Sequence, residues 1–408
     1  MTNRPLSGIR VLDLGQYIAG PGACQMLSDL GADVVKVESL RGDQARSVGT
    51  FGEAMVQAYN RDKRSIALDL RHPDGASVLH DLLATADVVV HNFRQESAER
   101  LGLGAAELLS RYPRLVLGTV TGFGTAGPSR NRPGLDIAAQ AEFGLMHVTG
   151  AADGQPQRVG FPVADVATAN ALATGVLAAL YQRTVTGRGA HVQTSLMEAT
   201  LAMQAAGWSE YMVTGTAPRR KGNGQAYAAP AADVVELIDG PIVLSAYTDE
   251  KWSALCTLID RQDMIEDPRF VDNPARVAHR DDLLTILSDA FGTMTRDQAV
   301  ELLLSANIVC GSIRSFDDIV DDDDVAASGI LIDVVADDGS VHTAPGPAFT
   351  LDDVTPPSSS AAPTTGRDTA TVLGEIGYSD DEVDRLRRSG VVLTDFDNDR
   401  HSSMRRLA

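Results

Sequence analysis

The sequence predicts an α/β fold: a large, doubly wound, mostly parallel (Rossmann-like) sheet with a smaller α+β domain. Three observations predict it. Short apolar strands alternate with helix-forming segments through the first 125 residues. Glycine is plentiful, at 37 residues, while aromatics make up only 5%, which suits close helix–strand packing. At 408 residues the chain is long enough for a large core and more than one domain.

Taken in order, I-R-V-L-D-L (9–14) reads as a buried strand and A-C-Q-M-L-S-D-L-G (23–31) as a helix closed by Gly31. Strands follow at 32–38 and 65–70, a helix at Asp74–Ala84, and strands at 86–93 and 115–123. Ala167–Thr184 is a long helix rich in Ala, Gly and Leu, and 188–201 gives a strand and then a helix. From about Gly207 the character changes: a basic, glycine-containing loop at 219–230 precedes an alternating strand at 233–246 and helices at 249–260, 280–291 and 295–306. These divisions place a large domain over 1–206, a linker and small domain over 207–330, and a return to the large domain over 331–408. The acidic run 317–325 reads as a solvated face or helix start. By composition 355–366 is a flexible linker. Residues 379–408 read as a peripheral helix with a frayed tail.

Composition excludes several classes. A formal net charge of −20 disfavours nucleic acid as a partner. No apolar run reaches the roughly 20 residues that span a membrane. The N-terminus enters a strand without a signal-peptide core, and M-R-R-L-A at the other end matches no retention or peroxisomal signal, so a cytoplasmic protein is expected. Cys24, Cys256 and Cys310 are widely spaced, and the eight histidines form no ligand pattern, so no metal is expected.

The candidate site begins with Asp165, in G-F-P-V-A-D-V-A-T-A-N-A-L-A-T-G (160–175), just ahead of the long apolar helix. Carboxylates there sit in the field of backbone N–H groups and can act as covalent nucleophiles. Asp is also a common helix cap, so that residue alone decides nothing. Open sheets bind ligands at the carboxyl ends of their strands, which puts Gln16, Asn92, Phe93 and Arg94 near a pocket. The glycine-rich 15–22 loop lacks the G-x-G-x-x-G spacing of a dinucleotide site.

Seven blocks in order resemble the class III CoA-transferases, the family that includes formyl-CoA and carnitine CoA-transferases and the α-methylacyl-CoA racemases. They are P-L-S-G-I-R-V-L-D-L-G-Q-Y-I-A-G-P (5–21), L-G-A-D-V-V-K-V-E (30–38), N-R-D-K-R-S-I-A-L-D-L (60–70), A-D-V-V-V-H-N-F-R (86–94), the Asp165 helix with T-G-R-G (186–189), K-G-N-G-Q (221–225) and N-I-V-C-G-S-I (307–313). The resemblance implies an interlocked homodimer and CoA transfer from an acyl-CoA donor to a carboxylic acid acceptor, with coenzyme A as co-substrate. It makes Asp165 the nucleophile, carrying aspartyl anhydride and aspartyl-CoA intermediates. It makes Gly222 and Gly224 part of a lid or oxyanion loop. It also places CoA against Ala19, Leu68, Arg71, Asn92 and Arg100, beside Phe93 and Arg94. Arginine suits the phosphates of CoA because it binds them bidentately.

Two departures stand out. Ser39-Leu40 replaces the basic or proline residues that often follow the family's Val-Glu, leaving Arg41 or Arg46 to supply the charge. Leu135 occupies the position of the racemases' proton-transferring histidine, and leucine exchanges no proton. Transfer is therefore favoured over α-methylacyl-CoA racemisation. A non-catalytic CoA-binding protein is the third reading.

Overall fold

The computed structural model describes residues 4–223, 232–351 and 359–394. Six parallel strands form the main sheet: β1 (Arg10–Asp13), β2 (Asp33–Glu38), β3 (Arg64–Leu68), β4 (Val88–His91), β5 (Val116–Thr121) and β6 (His191–Ser195). Their spatial order is 3-2-1-4-5-6, so the direction of winding reverses between β1 and β4. A short strand, Val392–Leu393, adds antiparallel to β3.

Successive strand residues point to opposite faces, and both faces are covered. Leu12, Val35, Ile66, Val89 and Leu117 join one core, whereas Val11, Val34, Val88, Val90 and Val116 join the other. Helix α1 (Ala19–Asp29) begins four residues ahead of the expected start at 23. It is followed by α2 (Gly49–Tyr59), α3 (Pro73–Thr85), α4 (Gln95–Arg100), α5 (Ala105–Arg111), α6 (Asp136–Glu142) and α7 (Leu145–Val148).

Helix α8 (Val163–Thr186) is longer at both ends than its Ala/Gly/Leu run suggested. It corrects the reading that no apolar segment reaches membrane-spanning length: its hydropathy and 24 residues meet that test. Its Leu172 and Val176 are nevertheless fully buried in the core shared with α1. The T-G-R-G turn ends it. Gly187 takes the left-handed φ of 69° expected of a helix-closing glycine. At Gly189 a Cβ would lie 1.8 Å from the Leu115 carbonyl oxygen, so only glycine lets the chain enter β6. Just inside the helix end, Arg183 is buried, pairs with Asp87 at 3.0 Å and donates to the Arg114 carbonyl.

The described residues divide into two compact units. The larger holds residues 4–143, 160–208, 327–351 and 359–394, and the smaller holds residues 144–159, 209–223 and 232–326. In the smaller, the run read as one strand is a hairpin, Ala232–Leu237 and Gly240–Ser245, turning at Ile238–Asp239 and joined by Val309–Ser312. Trp252, Phe270, Leu283, Leu287 and Phe291 fill its core. The acidic run forms a helix start as expected, Phe316–Val320, with Ser315 in a capping box.

Two C-terminal expectations are corrected. Within the supposed linker, Ser359–Ser360 pair with Val334–Val335, and Gly366 donates to Ser65 Oγ at 2.8 Å. The supposed peripheral helix, Asp380–Arg388, buries Leu386 against the main core, and Val392 follows it into the sheet.

Replacing Arg183 by Met leaves the Asp87 and Arg114 carbonyls and the Asp87 carboxylate without their cation. We expect a loss of about 2–4 kcal/mol in urea unfolding, the scale for breaking a largely buried ion pair. A midpoint equal to that of the natural protein would show the pair to be structurally idle.

Candidate functional site

The reversal of winding creates a crevice where the chain leaves β1 and β4. Its two rims are tied together by one side chain. The Asn92 amide accepts from the Gln16 backbone N–H at 3.0 Å and donates to the Gln16 carbonyl at 2.9 Å. Asn92 therefore acts first as a clasp between the loops. Phe93 is half-buried and stacks on His91, with ring centroids 5.5 Å apart. Arg94 precedes α4 and Arg100 ends it. Both are exposed, and Arg100 donates to Ser97 Oγ at 3.2 Å. Arg71, at the carboxyl end of β3, is 90% exposed and only loosely paired with Asp69 at 3.3 Å. These guanidinium groups are free to turn toward an anionic ligand. Ala19 and Leu68 are not: their side chains lie in the two cores, so they can offer a ligand only backbone. Arg46 is bound to Glu38 through two nitrogens and to the Pro363 carbonyl. That leaves exposed Arg41 as the unspent charge after Glu38.

Asp165 stands in the first turn of α8, not ahead of it. Pro162 occupies the cap position and makes no side-chain bond. The cap comes from elsewhere: Asp136, at the start of α6, accepts the Ala164 N–H at 2.8 Å through Oδ1. Its Oδ2 accepts Gln140 Nε2 at 2.6 Å. Asp136 is 6% exposed. Burial, and then the neighbouring Asp136 charge, push the Asp165 carboxyl up to about 7. Tyr59, at the end of α2, registers the same carboxylate: burial and then the Asp165 charge raise its phenol. Tyr59, Tyr17, Ile18, Met55 and Val56 make an apolar cluster with Val166, the residue after Asp165. The sequence reading passed over Asp136 and Tyr59. Leu135 drew attention to the position before Asp136, but the cap depends on a contact across 28 residues, which no local pattern reveals.

Beside Phe93, on the sheet face away from α8, lies a cavity of about 480 Å³. It is lined by His91, Leu117, Thr119, Thr121 and His191 among others. Gln193 Nε2 lies 2.7 Å from His191 Nδ1, and His191 Nε2 lies 2.9 Å from Thr119 Oγ1. Burial is the main cause that holds the His91 imidazole at about 4. No group of three or more His, Cys, Asp or Glu able to hold a metal occurs among the described residues.

In the smaller unit, Gly222 takes a φ of +68° and its N–H is spent on the Gly150 carbonyl at 3.0 Å. In this arrangement it is not an available oxyanion donor. Gly224 lies outside the described residues.

Fold and site together define a doubly wound α/β protein that holds a desolvated carboxylate beside the loop leaving its switch point. The model of CoA-transferase family III matches residues 6–369, and the chain belongs to that family. It is 35% identical to the succinate–glutarate CoA-transferase of Agrobacterium fabrum over 354 residues, covering 84% of this chain and 88% of that one. Among solved structures, a CAIB/BAIF family protein from Brucella suis superposes with a TM-score of 0.83 at 32% identity, over 92% of this chain and all of that one. Rv3272 of Mycobacterium tuberculosis gives 0.80 at 32% identity, over 90% and 99%.

A carboxyl raised to about 7 must lose its proton to act as a nucleophile, so kcat/KM should rise through an acid limb centred near pH 7. Asp136→Asn removes the like charge and should move that limb to lower pH; an unmoved limb would assign it to another group. The stability consequence has the opposite slope. The unfolded aspartate ionises near 3.8 and the folded one near 7, so the site loses stability as pH rises between them and bears the full penalty above 7. Asp165→Asn should therefore raise Tm at pH 8, by about 2 °C on the scale of a kcal/mol effect, and leave it unchanged near pH 4.

Proposed function

We propose that this enzyme moves CoA from an acyl-CoA thioester to a carboxylic acid, with Asp165 as the covalent carrier. The observation that carries the reading is a desolvated carboxylate of raised pKa, in a helix turn capped by the buried Asp136, in a chain whose relatives are CoA-transferases. Desolvation makes a carboxylate a stronger nucleophile than it is in water, and its placement removes the entropy of encounter.

The sequence of bonds balances without an external acid, base or oxidant. An Asp165 carboxylate oxygen attacks the thioester carbonyl, the C–S bond breaks, and CoA thiolate leaves a mixed anhydride. The thiolate then attacks the aspartyl carbonyl, breaking the anhydride C–O bond and releasing the donor acid. The acceptor carboxylate attacks the resulting aspartyl-CoA thioester and expels the thiolate again. Attack of that thiolate on the new acyl carbonyl restores the Asp165 carboxylate and yields the product thioester. Each step exchanges a carboxylate for a thiolate, or the reverse, at an acyl carbon, so one barrier is divided into four.

Arg71, Arg94 and Arg100 would bind the phosphates of CoA, and the Asn92 clasp would set the distance between that site and the β1 loop. Several relatives are named for dicarboxylates: succinate and glutarate, mesaconate, and oxalate. A short dicarboxylic acid is accordingly the acceptor class we assign. The homodimer implied by the family resemblance belongs to this proposal. So does the preference for transfer over racemisation: Leu135 is 59% exposed at the foot of α6 and has no proton to exchange.

Incubation with succinyl-CoA, acetyl-CoA and oxalyl-CoA, followed by hydroxylamine and peptide mass spectrometry, should give a hydroxamate at Asp165. Asp165→Ala should abolish transfer while CoA affinity holds within about threefold. Full turnover by that variant would overturn the nucleophile assignment, and α-deuterium exchange with no adduct would replace the transferase reading with an isomerase. Arg100→Ala should weaken CoA binding at least tenfold, since a charge-assisted hydrogen bond contributes about 1.5–3 kcal/mol. Undiminished affinity would move the phosphate site elsewhere.

A further inference from the structure

The loop between β1 and α1 is held by charges that never meet water. Asp13 ends β1 with 0% exposure, and Lys36, Lys63 and Asp43 are each at most 3% exposed. Lys63 Nζ spends its three donors on Asp13 Oδ2 at 2.7 Å, the Pro21 carbonyl at 2.8 Å and Asn60 Oδ1 at 3.0 Å. Lys36 Nζ donates to the Gly15 carbonyl at 3.0 Å and pairs with Asp43 at 2.9 Å. Asp13 Oδ1 accepts the Gly15 N–H at 2.9 Å. Asp43 Oδ1 accepts the Tyr17 N–H, and Asn92 takes both backbone groups of Gln16. Six backbone polar groups of residues 15–21 thus end on side chains, one on the adjoining Asp13 and five on side chains from four distant segments.

Such a hold is out of proportion to a mere connection. Two buried ammoniums and two buried carboxylates carry several kcal/mol of desolvation each, repaid only by close pairing. The loop they grip is also under tension: Tyr17, an aromatic residue, sits at φ +64°. Gly15 and Gly20 are in backbone contact, and a Cβ on Gly20 would lie 3.1 Å from the Gly15 Cα. What the grip presses against is the foot of α8. A Cβ on Gly22 would lie 3.1 Å from Ala169 and 3.4 Å from Tyr59, and Tyr17 and Ile18 cluster with Val166. The fixed loop therefore packs on Val166, the residue next to Asp165.

We infer that Lys63, paired with Asp13 in the cluster that also holds Lys36, is a positioning residue for acyl transfer: it fixes the β1–α1 loop against the first turn of α8. The inference rests on the reading of Asp165 as nucleophile. Lys63 touches no reacting atom, and its effect passes through the Pro21 and Asp13 contacts.

The test uses the full chain and three readouts: Tm, CoA affinity by calorimetry, and the single-turnover rate at which a donor acyl-CoA forms the hydroxylamine-sensitive adduct on Asp165. Lys63→Met keeps the side-chain length and removes the ammonium. It should slow adduct formation thirtyfold or more, with the CoA dissociation constant changed no more than threefold. Gly20→Ala alters no charge and adds one methyl against Gly15, and it should give the same split. Adduct formation at the natural rate in folded Lys63→Met, whatever its Tm, would overturn the inference by showing a purely structural role. Should Lys63→Met fail to fold, Gly20→Ala decides by the same measurement: a natural rate overturns, a selective loss supports. The unmutated protein tests the underlying reading separately. If it yields no adduct with any donor, the nucleophile assignment falls, and this inference falls with it.

Discussion

The β1 end of the sheet depends on two lysines and two aspartates sharing a space from which water is excluded. None of the four is stable there alone, since an unpaired buried charge costs several kcal/mol. Their segments must therefore come into place together: β1, β2, the turn carrying Asp43, and the stretch Asn60–Lys63 entering β3. Burial raises Asp13 and the two ammoniums pull it more strongly down, leaving its carboxyl below the usual range. The result is a cluster with all-or-none character. It converts the pairing of three central strands into the exact path of a strained loop, and through that loop into the surroundings of Asp165.

The site combines this rigid hold with electrostatic discomfort. Asp136 closes the N-terminus of α8 in the way a capping carboxylate should, with its oxygen on a free N–H. The same oxygen pair places a second negative charge beside Asp165, which burial already disfavours. One side chain thus stabilises the helix and destabilises its neighbour. That trade is common where chemistry needs a group held away from its preferred state. Tyr17 in the left-handed region is the backbone counterpart, a local cost tolerated because several side chains determine it.

The parallel strands were legible because fully buried strands read as short unbroken apolar runs, as V-V-V does in β4. Asn92 follows such a run, whereas Arg100 and the role of Asp165 came from the family resemblance. What stayed hidden depends on distance in sequence. Nothing local to Lys63 announces an ion pair with Asp13, fifty residues away. Nothing local to Asp136 announces a cap on another helix. The apolar run of α8 located the helix but not its first turn, because the polar Asp165 lies within the helix and the true cap residue is a proline. Val392–Leu393 is too short to show period-two alternation, and only its pairing with β3 makes it a strand. The basic Gly222 segment carried a motif but no conformation, and its N–H proved to be engaged by Gly150.

The pairing of Val392–Leu393 with β3 has a meaning for how the protein is made. Residues near 67 wait for a partner that the ribosome delivers more than three hundred codons later. At typical elongation speeds of about 5–20 residues per second, that edge stays open for roughly 16–65 s. Throughout that interval the growing sheet exposes β3 as an unprotected template for any passing strand. The smaller unit, complete by residue 326, emerges while the larger one is still waiting. Chaperone demand during synthesis should accordingly concentrate on the first third of the chain, and a ribosome stalled before codon 392 would release a protein with its core built and its flank unsealed.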